Sequence, residues 1–378
     1  MAEKSYIELF IQQYTTHHTS RSIMRIQQHK KLNFTGQIIY IGMDIGKRFW
    51  KICIYTAAGE YKLFTTAPSV KQLVTYLHTW FPGAGYHAAY EIGYCGFWIC
   101  DALNRAGIQC IVVHPADIPT SDKEHAFKTD ARDARKIARM LRAGELVAIY
   151  VPSQQALQDR TWVRSRYELV KKQTRCKNQI KSRLAFFGIE LPEEQVQAHW
   201  SKAFLAWLDG LASETIPQLA ILLRELRFLR EQIVQVTRQI RLMATTDDHY
   251  KQDCGYLIGV TGISTVSAMI LLTELVEIKR FKSFDTLASY CGIVPGEHSS
   301  SEKNTNTGIS RRRNSFLRYI LIEAAWTAAR KDPALIQAFT RLCKNMKATD
   351  AIIRIARKLL ARIYWVLRHH QPYVVGHV

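Results

Sequence analysis

Residues 38–65 read IIYIGMDIGKRFWKICIYTAAGEYKLFT, and this stretch sets the fold. Residues 38–44 are an apolar run of strand length, residues 49–55 alternate apolar and polar, and residues 61–65 form a third segment of the same kind. Gly46 lies in one short connection and Ala57-Ala58-Gly59 in the other, so the three strands are expected to make an antiparallel meander. Downstream, Ser69 suits the N-cap of a helix reaching Thr79. Residues 86–91 read as a fourth strand, 96–106 as a helix and 108–114 as a fifth strand stopped by Pro115, with a further helix over about 129–141.

Three antiparallel strands followed by alternating helix and strand is the order of a ribonuclease-H-like α/β fold, a mixed sheet with helices on both faces. In that fold the fourth strand lies beside the first. Asp44 and Glu91, which end those strands, would then meet at one edge. Asp130 and Asp133, three apart at a helix start, can point the same way and suit a helix N-terminus. Four converging carboxylates repel unless a divalent cation sits among them, and hard oxygen donors select Mg2+ or Mn2+. Such a set matches two-metal phosphodiester chemistry. Taken singly, Asp130 is also a helix cap facing Arg132 or Arg135, and Asp44 and Glu91 are ordinary strand-end acids.

Beyond Pro152 the pattern turns helical. Residues 155–184 form a long basic helix with a weak seam at Val163, Tyr167, Val170 and Leu184. Leu219, Leu222, Leu226, Leu229, Ile233, Val236 and Ile240 make a seam of alternating three- and four-residue steps. An antiparallel pair or a dimerising coiled coil follows from these two helices, joined by a connector containing Phe186, Phe187, Trp200 and Trp207. Val260-Thr261-Gly262-Ile263-Ser264 lies between two apolar helices and resembles in part a helix-hairpin-helix turn. Residues 297–314 are polar, rich in Ser, Thr and Asn, and are expected to be a loop. Helices over 316–330 and 348–368 finish the chain. The domains expected are a basic arm (1–36), the α/β domain (37–150), a coiled-coil linker (151–249) and a mostly α C-terminal domain (250–378).

The 378 residues carry a formal net charge of +20, with 47% hydrophobic and 22% charged residues, a globular composition with a polyanionic partner. Residues 159–183 hold +7, 299–318 hold +4 and 341–368 hold +7, so the rest of the chain is almost neutral. The phosphate-binding candidates are Arg164, Lys171, Lys172, Arg175 and Lys177, then Lys303, Arg311, Arg312 and Arg313, then Arg357 and Lys358. No apolar run approaches the roughly 20 residues of a membrane span, and the first residues lack a signal-peptide core, so a cytoplasmic, nucleoid-associated protein with no membrane partner is expected. The eight cysteines show no CxxC or zinc spacing and read as reduced, mostly buried thiols.

Seven short segments, in order, together resemble one family. They are Tyr40-Ile41-Gly42-Met43-Asp44, the strand ending in Glu91, Lys128-Thr129-Asp130 with Asp133-Ala134, Gly259-Val260-Thr261-Gly262-Ile263, Cys291-Gly292-Ile293-Val294-Pro295, Glu297-His298-Ser299-Ser300 and Ala356-Arg357-Lys358-Leu359-Leu360. Over nearly all of residues 40–373 the chain resembles the insertion-sequence 110 family of DEDD transposases, whose relatives include the Piv DNA invertases. The resemblance implies a RuvC-like domain with the acidic tetrad, a coiled coil that assembles protomers into dimers and synaptic tetramers, and a C-terminal domain with a nucleophilic serine. By motif that serine falls on Ser300, with Ser301 as a rival because Ser299-Ser300-Ser301 stands where the family has Ser-Ser-Gly. It also implies a structured guide (bridge) RNA that pairs with donor and target DNA. For the arm before Gln37 it implies no role.

Other classes remain in view. A Piv-like invertase, or a metal-dependent nuclease or resolvase using water, would share the acids without an RNA guide. Asp44-Ile45-Gly46 also suits the phosphate loop of a sugar-kinase or actin-like ATPase, but the second Asp-x-Gly loop and the adenosine-binding glycines of that fold are missing. A purely structural nucleic-acid-binding protein would not need the acids.

Overall fold

The computed structural model describes residues 33–119, 129–192, 200–300, 303–309 and 313–374. The basic arm up to residue 32, Lys128, Ser301, Arg311 and Arg312 lie outside the described residues. The chain divides into two compact units, Met1–Val151 and Pro152–Val378.

The first unit is built on a five-stranded sheet of order β3-β2-β1-β4-β5. Its strands are β1 (Ile38–Ile45), β2 (Trp50–Thr56), β3 (Gly59–Thr66), β4 (Gly85–Glu91) and β5 (Gln109–Val113). The first three are antiparallel, and β4 and β5 continue parallel to β1. This is the mixed sheet expected from the strand order. Side-chain alternation then sorts the two faces. Ile39, Ile41, Met43, Ile52 and Ile54 pack with Leu73 and Leu77 of α1 (Val70–Trp80) and Ile99 and Leu103 of α2 (Trp98–Arg105). Ser69 caps α1 by accepting from the Gln72 amide at 3.3 Å. On the opposite face lies α3 (Asp130–Ala143), where Ala134 and Ala138 meet Cys53 and Ile137 and Met140 meet Ala89.

Gly42 permits that packing. A Cβ there would collide with the Ala134 carbonyl and the backbone of Ala138, so only glycine lets α3 lie directly on β1. The direction of α3 follows from its two arginine contacts. Arg135 pairs with Glu60 at 3.0 Å, and Arg142 donates to the Ala57 carbonyl at 2.9 Å. Ala57 lies in the β2–β3 turn, which register places at the beginning of β1 because Tyr40 faces Tyr55. The helix C-terminus is therefore at the start of β1 and its N-terminus at the end, near Asp44.

The second unit is helical apart from one hairpin. Helix α4 (Gln154–Phe186) pairs with α6 (Leu219–Thr246). Arg166 Nε donates to Thr237 Oγ1 at 2.8 Å and the Cys176 thiol to the Leu222 carbonyl at 3.3 Å, so the helices run antiparallel within the chain. Within the chain, then, the two helices form the antiparallel pair that is one of the two readings of the seam. Leu219, Leu226, Leu229 and Ile240 are buried as the spacing predicts, but Leu223 is buried where Leu222 is half-buried. The connector contains α5 (Lys202–Glu214), whose Phe204 and Leu208 close one end of the pair against Ile180 and Leu184.

A larger core gathers α7 (Asp248–Ile258), α8 (Thr265–Leu275), α9 (Phe284–Cys291), α10 (Ser315–Lys331), α11 (Pro333–Cys343) and α12 (Ala348–His369). Helix α8 is buried from Ala268 to Leu275, which explains its lack of a polar face. Gly262, at φ 97°, turns the chain before α8 where a Cβ would strike the Ala324 carbonyl. Residues 297–314, expected to be a loop, instead hold the antiparallel strands β6 (Pro295–Ser300) and β7 (Lys303–Ile309). The backbone ladder suffices to form them, while their mostly polar residues give no apolar alternation to betray a strand. All eight cysteines are free and six are buried. Burial pushes the Cys53 and Cys291 thiols up to about 12 and Cys254 up to about 11, so these stay protonated and inert. Among the described residues, no helix is long and apolar enough to cross a membrane.

Glu274 of α8 is fully buried, and its charge is met by Arg164 Nε at 2.6 Å and by Arg160 Nε at 3.8 Å. Asn314 Nδ2 donates to the same carboxylate at 2.9 Å. Burial lowers the pKa of Arg160, whereas the hydrogen bond to Glu274 raises that of Arg164.

Two stability outcomes follow. Gly42→Ala should cost about 1–3 kcal/mol through forced displacement of α3, read by urea unfolding, whereas Gly93→Ala, with open space around it, should stay within about 0.5 kcal/mol. Glu274→Ala should cost about 3–5 kcal/mol because it strands buried guanidinium charge; a loss below about 1 kcal/mol would show that the pair is not holding α4 to α8.

Candidate active site

Alternation puts Asp44 on the face of Gly42, and Glu91 on the face of Ala89, which packs on α3. Strands β1 and β4 are adjacent and parallel with Met43 opposite Tyr90, so the next residues, Asp44 and Glu91, stand side by side where the two strands end. Asp130 and Asp133 occupy the first turn of α3, the end that approaches this edge. Asp44, Glu91 and Asp133 are half-buried and Asp130 is exposed. The backbone thus assembles all four acids at one end of the sheet, on one face.

The side chains do not close into a ligand set. Among the described residues no three His, Cys, Asp or Glu groups are arranged to hold a metal ion, and Asp44, Glu91 and Asp133 each engage a neighbour. The donor chemistry nevertheless fits a hard divalent cation, because all four groups are carboxylates.

A rim of residues surrounds this edge that the sequence reading did not single out. Lys47, in the β1–β2 turn, holds its ammonium 5.6 Å from the ring centre of Tyr94, in the loop after β4. Gly46 makes the turn tight by donating its amide to the Phe49 carbonyl at 3.1 Å. Local desolvation, with Cys95 and the Asp44 carboxylate nearby, raises the Tyr94 pKa although the side chain is largely exposed. The available signal was Gly93-Tyr94-Cys95-Gly96, an aromatic framed by glycines directly after the strand that ends in Glu91.

Ser300 belongs to the other unit. It is the last residue of β6 and pairs with Lys303, the first of β7. The hairpin is tied at its base. Arg357 donates to the Ile293 carbonyl at 3.3 Å just before β6 and to Asp285 at 2.6 Å. After β7, the Asn314 amide donates to the Tyr290 carbonyl at 2.8 Å while its side chain reaches Glu274. Gly292, at φ 68°, leaves room for the Arg313 side chain.

The basic candidates divide by what they touch. Arg164 is bound to Glu274 and Arg357 to Asp285, so both guanidinium groups serve the fold. Lys171 lies 3.2 Å from Glu168, and Lys177 sits 5.4 Å over Trp200. Lys172, Arg175, Arg313 and Lys358 are exposed.

A family model described as Transposase IS116/IS110/IS902 family matches residues 254–341, and a transposase model of the DEDD, IS110 type matches residues 41–188. Together they span more than half of the chain. The Sinorhizobium fredii protein y4qE, named a transposase, is 32% identical over 238 residues, 63% of this chain and 57% of that protein. The chain thus matches little more than half the length of that relative. The transposase for insertion sequence element IS1328 of Yersinia enterocolitica is 26% identical over 87% of this chain and 96% of its own length. The transposase for insertion sequence element IS1111A of Coxiella burnetii is 24% identical over 92% of this chain and 94% of its own.

Proposed function

Because the chain belongs to the IS110/IS116 family of DEDD transposases, we propose that it cuts and rejoins DNA as the transposase of an insertion element. The observation that carries this reading is the packing of α3 on β1 at Gly42, which sets Asp130 and Asp133 toward the strand ends bearing Asp44 and Glu91. These four carboxylates would hold a divalent cation, Mg2+ or Mn2+, which when bound stabilises negative charge on a phosphodiester.

Ser300 is the proposed nucleophile. Its Oγ bonds to phosphorus, the deoxyribose oxygen leaves and takes up a proton, and the serine proton passes to a base. The phosphoserine keeps the energy of the broken phosphodiester, so the reverse attack by a DNA hydroxyl rejoins strands without ATP. Arg311, Arg312 and Arg313, close after β7, supply positive charge for the phosphate. The exposed cations Lys172, Arg175 and Lys358 suit the backbones of donor and target DNA and of a structured guide RNA. A homo-oligomer bringing acids and serine of different protomers together is part of the same proposal. The expected domains, a linker over 151–249 and a serine-bearing domain over 250–378, remain part of this functional division.

A second reading is a RuvC-like nuclease or resolvase, or a Piv-like invertase, acting without a guide. The position of all four acids in the first unit favours it, since water could serve as nucleophile there.

With a DNA substrate carrying the element's ends, Ser300→Ala should abolish the covalent protein–DNA adduct and leave nucleic-acid binding intact. An adduct that persists in Ser300→Ala and disappears in Ser301→Ala would move the nucleophile by one residue, and cleavage with no adduct in the wild type would favour the nuclease. Asp44→Ala should lower cleavage more than about a hundredfold. Binding should weaken about a thousandfold or more between 50 and 200 mM salt; a salt-insensitive complex would contradict the assignment of the basic segments.

A further inference from the structure

At the end of the sheet that carries the acids, three large aromatic side chains are left in solvent. Tyr94 is 61% exposed, Trp98 50% and Phe49 46%. Exposed aromatics are ordinary when scattered, but Phe49 and Tyr94 lie in the two connections that leave the ends of β1 and β4, whereas Trp98 opens α2 on the other face of the sheet. Each is held in place from below. Trp98 leans on the buried Trp50 ring at 6.2 Å. The loop bearing Tyr94 is pinned by Tyr90, whose hydroxyl donates to the Gly96 carbonyl at 2.9 Å and accepts from the Cys100 amide at 3.3 Å. Phe49 closes the tight turn begun by Gly46. The rings are thus presented on fixed backbone.

Lys47 adds the second component. Its ammonium stands 5.6 Å from the Tyr94 ring centre, linking the turn after Asp44 to the loop after Glu91, and Arg48 is its exposed neighbour. An aromatic face beside a cation is what unpaired nucleic acid requires, since the base stacks on the ring and the phosphate meets the ammonium. A protein partner would need a continuous apolar patch, whereas here the rings alternate with charge. The acids themselves repel a polyanion, so a strand reaching them needs positive charge and stacking at their border.

We propose that Tyr94 and Lys47 form a nucleotide-holding site that stacks an unpaired DNA base flanking the phosphate to be cut. The base lies against Tyr94 and its phosphate against Lys47. The site deepens the DNA-cutting reading given above and rests on it for the identity of the ligand, but it binds without any bond being broken.

The test uses the full-length protein carrying Asp44→Asn, so that no chemistry intervenes, together with any RNA that purifies with it. The probe is a single-stranded DNA oligonucleotide with 5-iodouracil at one position, which joins covalently to a stacked aromatic on irradiation. Peptide mapping should place the cross-link on Tyr94. Tyr94→Ala should weaken the affinity for the oligonucleotide about tenfold, Tyr94→Phe should retain it, and Lys47→Ala should reduce the salt slope by about one. Cross-links confined to other segments, unchanged affinity in Tyr94→Ala, or displacement of the DNA from Tyr94 by RNA of the same sequence would each overturn the proposal. Failure of the transposase reading would show instead as an intact wild-type protein that joins the probe at Tyr94 yet never cuts DNA, so the two failures are distinct.

Discussion

The contact between α3 and β1 at Gly42 is the constraint on which the acid edge depends. A side chain at that position would lift the helix off the sheet, because it would meet backbone atoms of Ala134 and Ala138 rather than a side chain able to swing away. The small residues Ala134 and Ala138 on the helix complete the fit, with Cys53 of β2 filling the space beside them. Asp130 and Asp133 precede this contact by at most one turn. Their distance from the strands is therefore set by glycine and alanine, and the carboxylates of β1 and β4 inherit their neighbours from a packing decision made two residues earlier in the strand.

The second unit has a comparable device of opposite chemistry. Where the first uses absence of side chains to bring elements together, the second buries a full charge. Glu274 gathers Arg160 and Arg164 of α4 and Asn314 at the foot of the hairpin, and Arg357 holds the other foot at Ile293. Such a network costs desolvation energy and contributes little net stability, but it fixes relative position because each partner is satisfied in only one arrangement. The hairpin whose first strand ends at Ser300 thus has a base tied on both sides.

Much of the first unit is legible in the sequence because its signals are local. The apolar run of β1, the alternation of β2, the glycines in the turns and the Ser69 cap each act within a few residues, and the adjacency of Asp44 and Glu91 follows from strand order alone. What escapes is non-local or polar. Glu274 and Arg164 are 110 positions apart, and nothing near Glu274 announces a partner. The strands β6 and β7 carry no apolar alternation, so their composition reads as a loop. The α6 seam is legible in outline, yet burial shifts from Leu222 to Leu223 because the helix answers α4 and α5 together. Tyr94 escapes because a lone aromatic in a loop acquires meaning only when Lys47 and Asp44 are placed beside it.

The charge of the chain now has a more specific distribution than a count suggests. Part of the basic complement is tied up in ion pairs, with the buried Glu274 and Asp332 and the exposed Asp285, and exposed cations such as Lys172, Arg175 and Lys358 are left for nucleic acid. Lys47 adds a cation at the acid edge, in a part of the chain whose sequence balance is nearly neutral. Cation binding at that edge is the most direct measurement of the central claim. Titration of Mn2+ against the full-length protein with DNA present, read by the resonance of the free ion, should give binding in the wild type that is lost in Asp44→Ala and in Asp133→Ala but kept in Gly93→Ala. Equal binding in all four proteins, or none in the wild type, would contradict the assignment of the four carboxylates as the site of DNA chemistry.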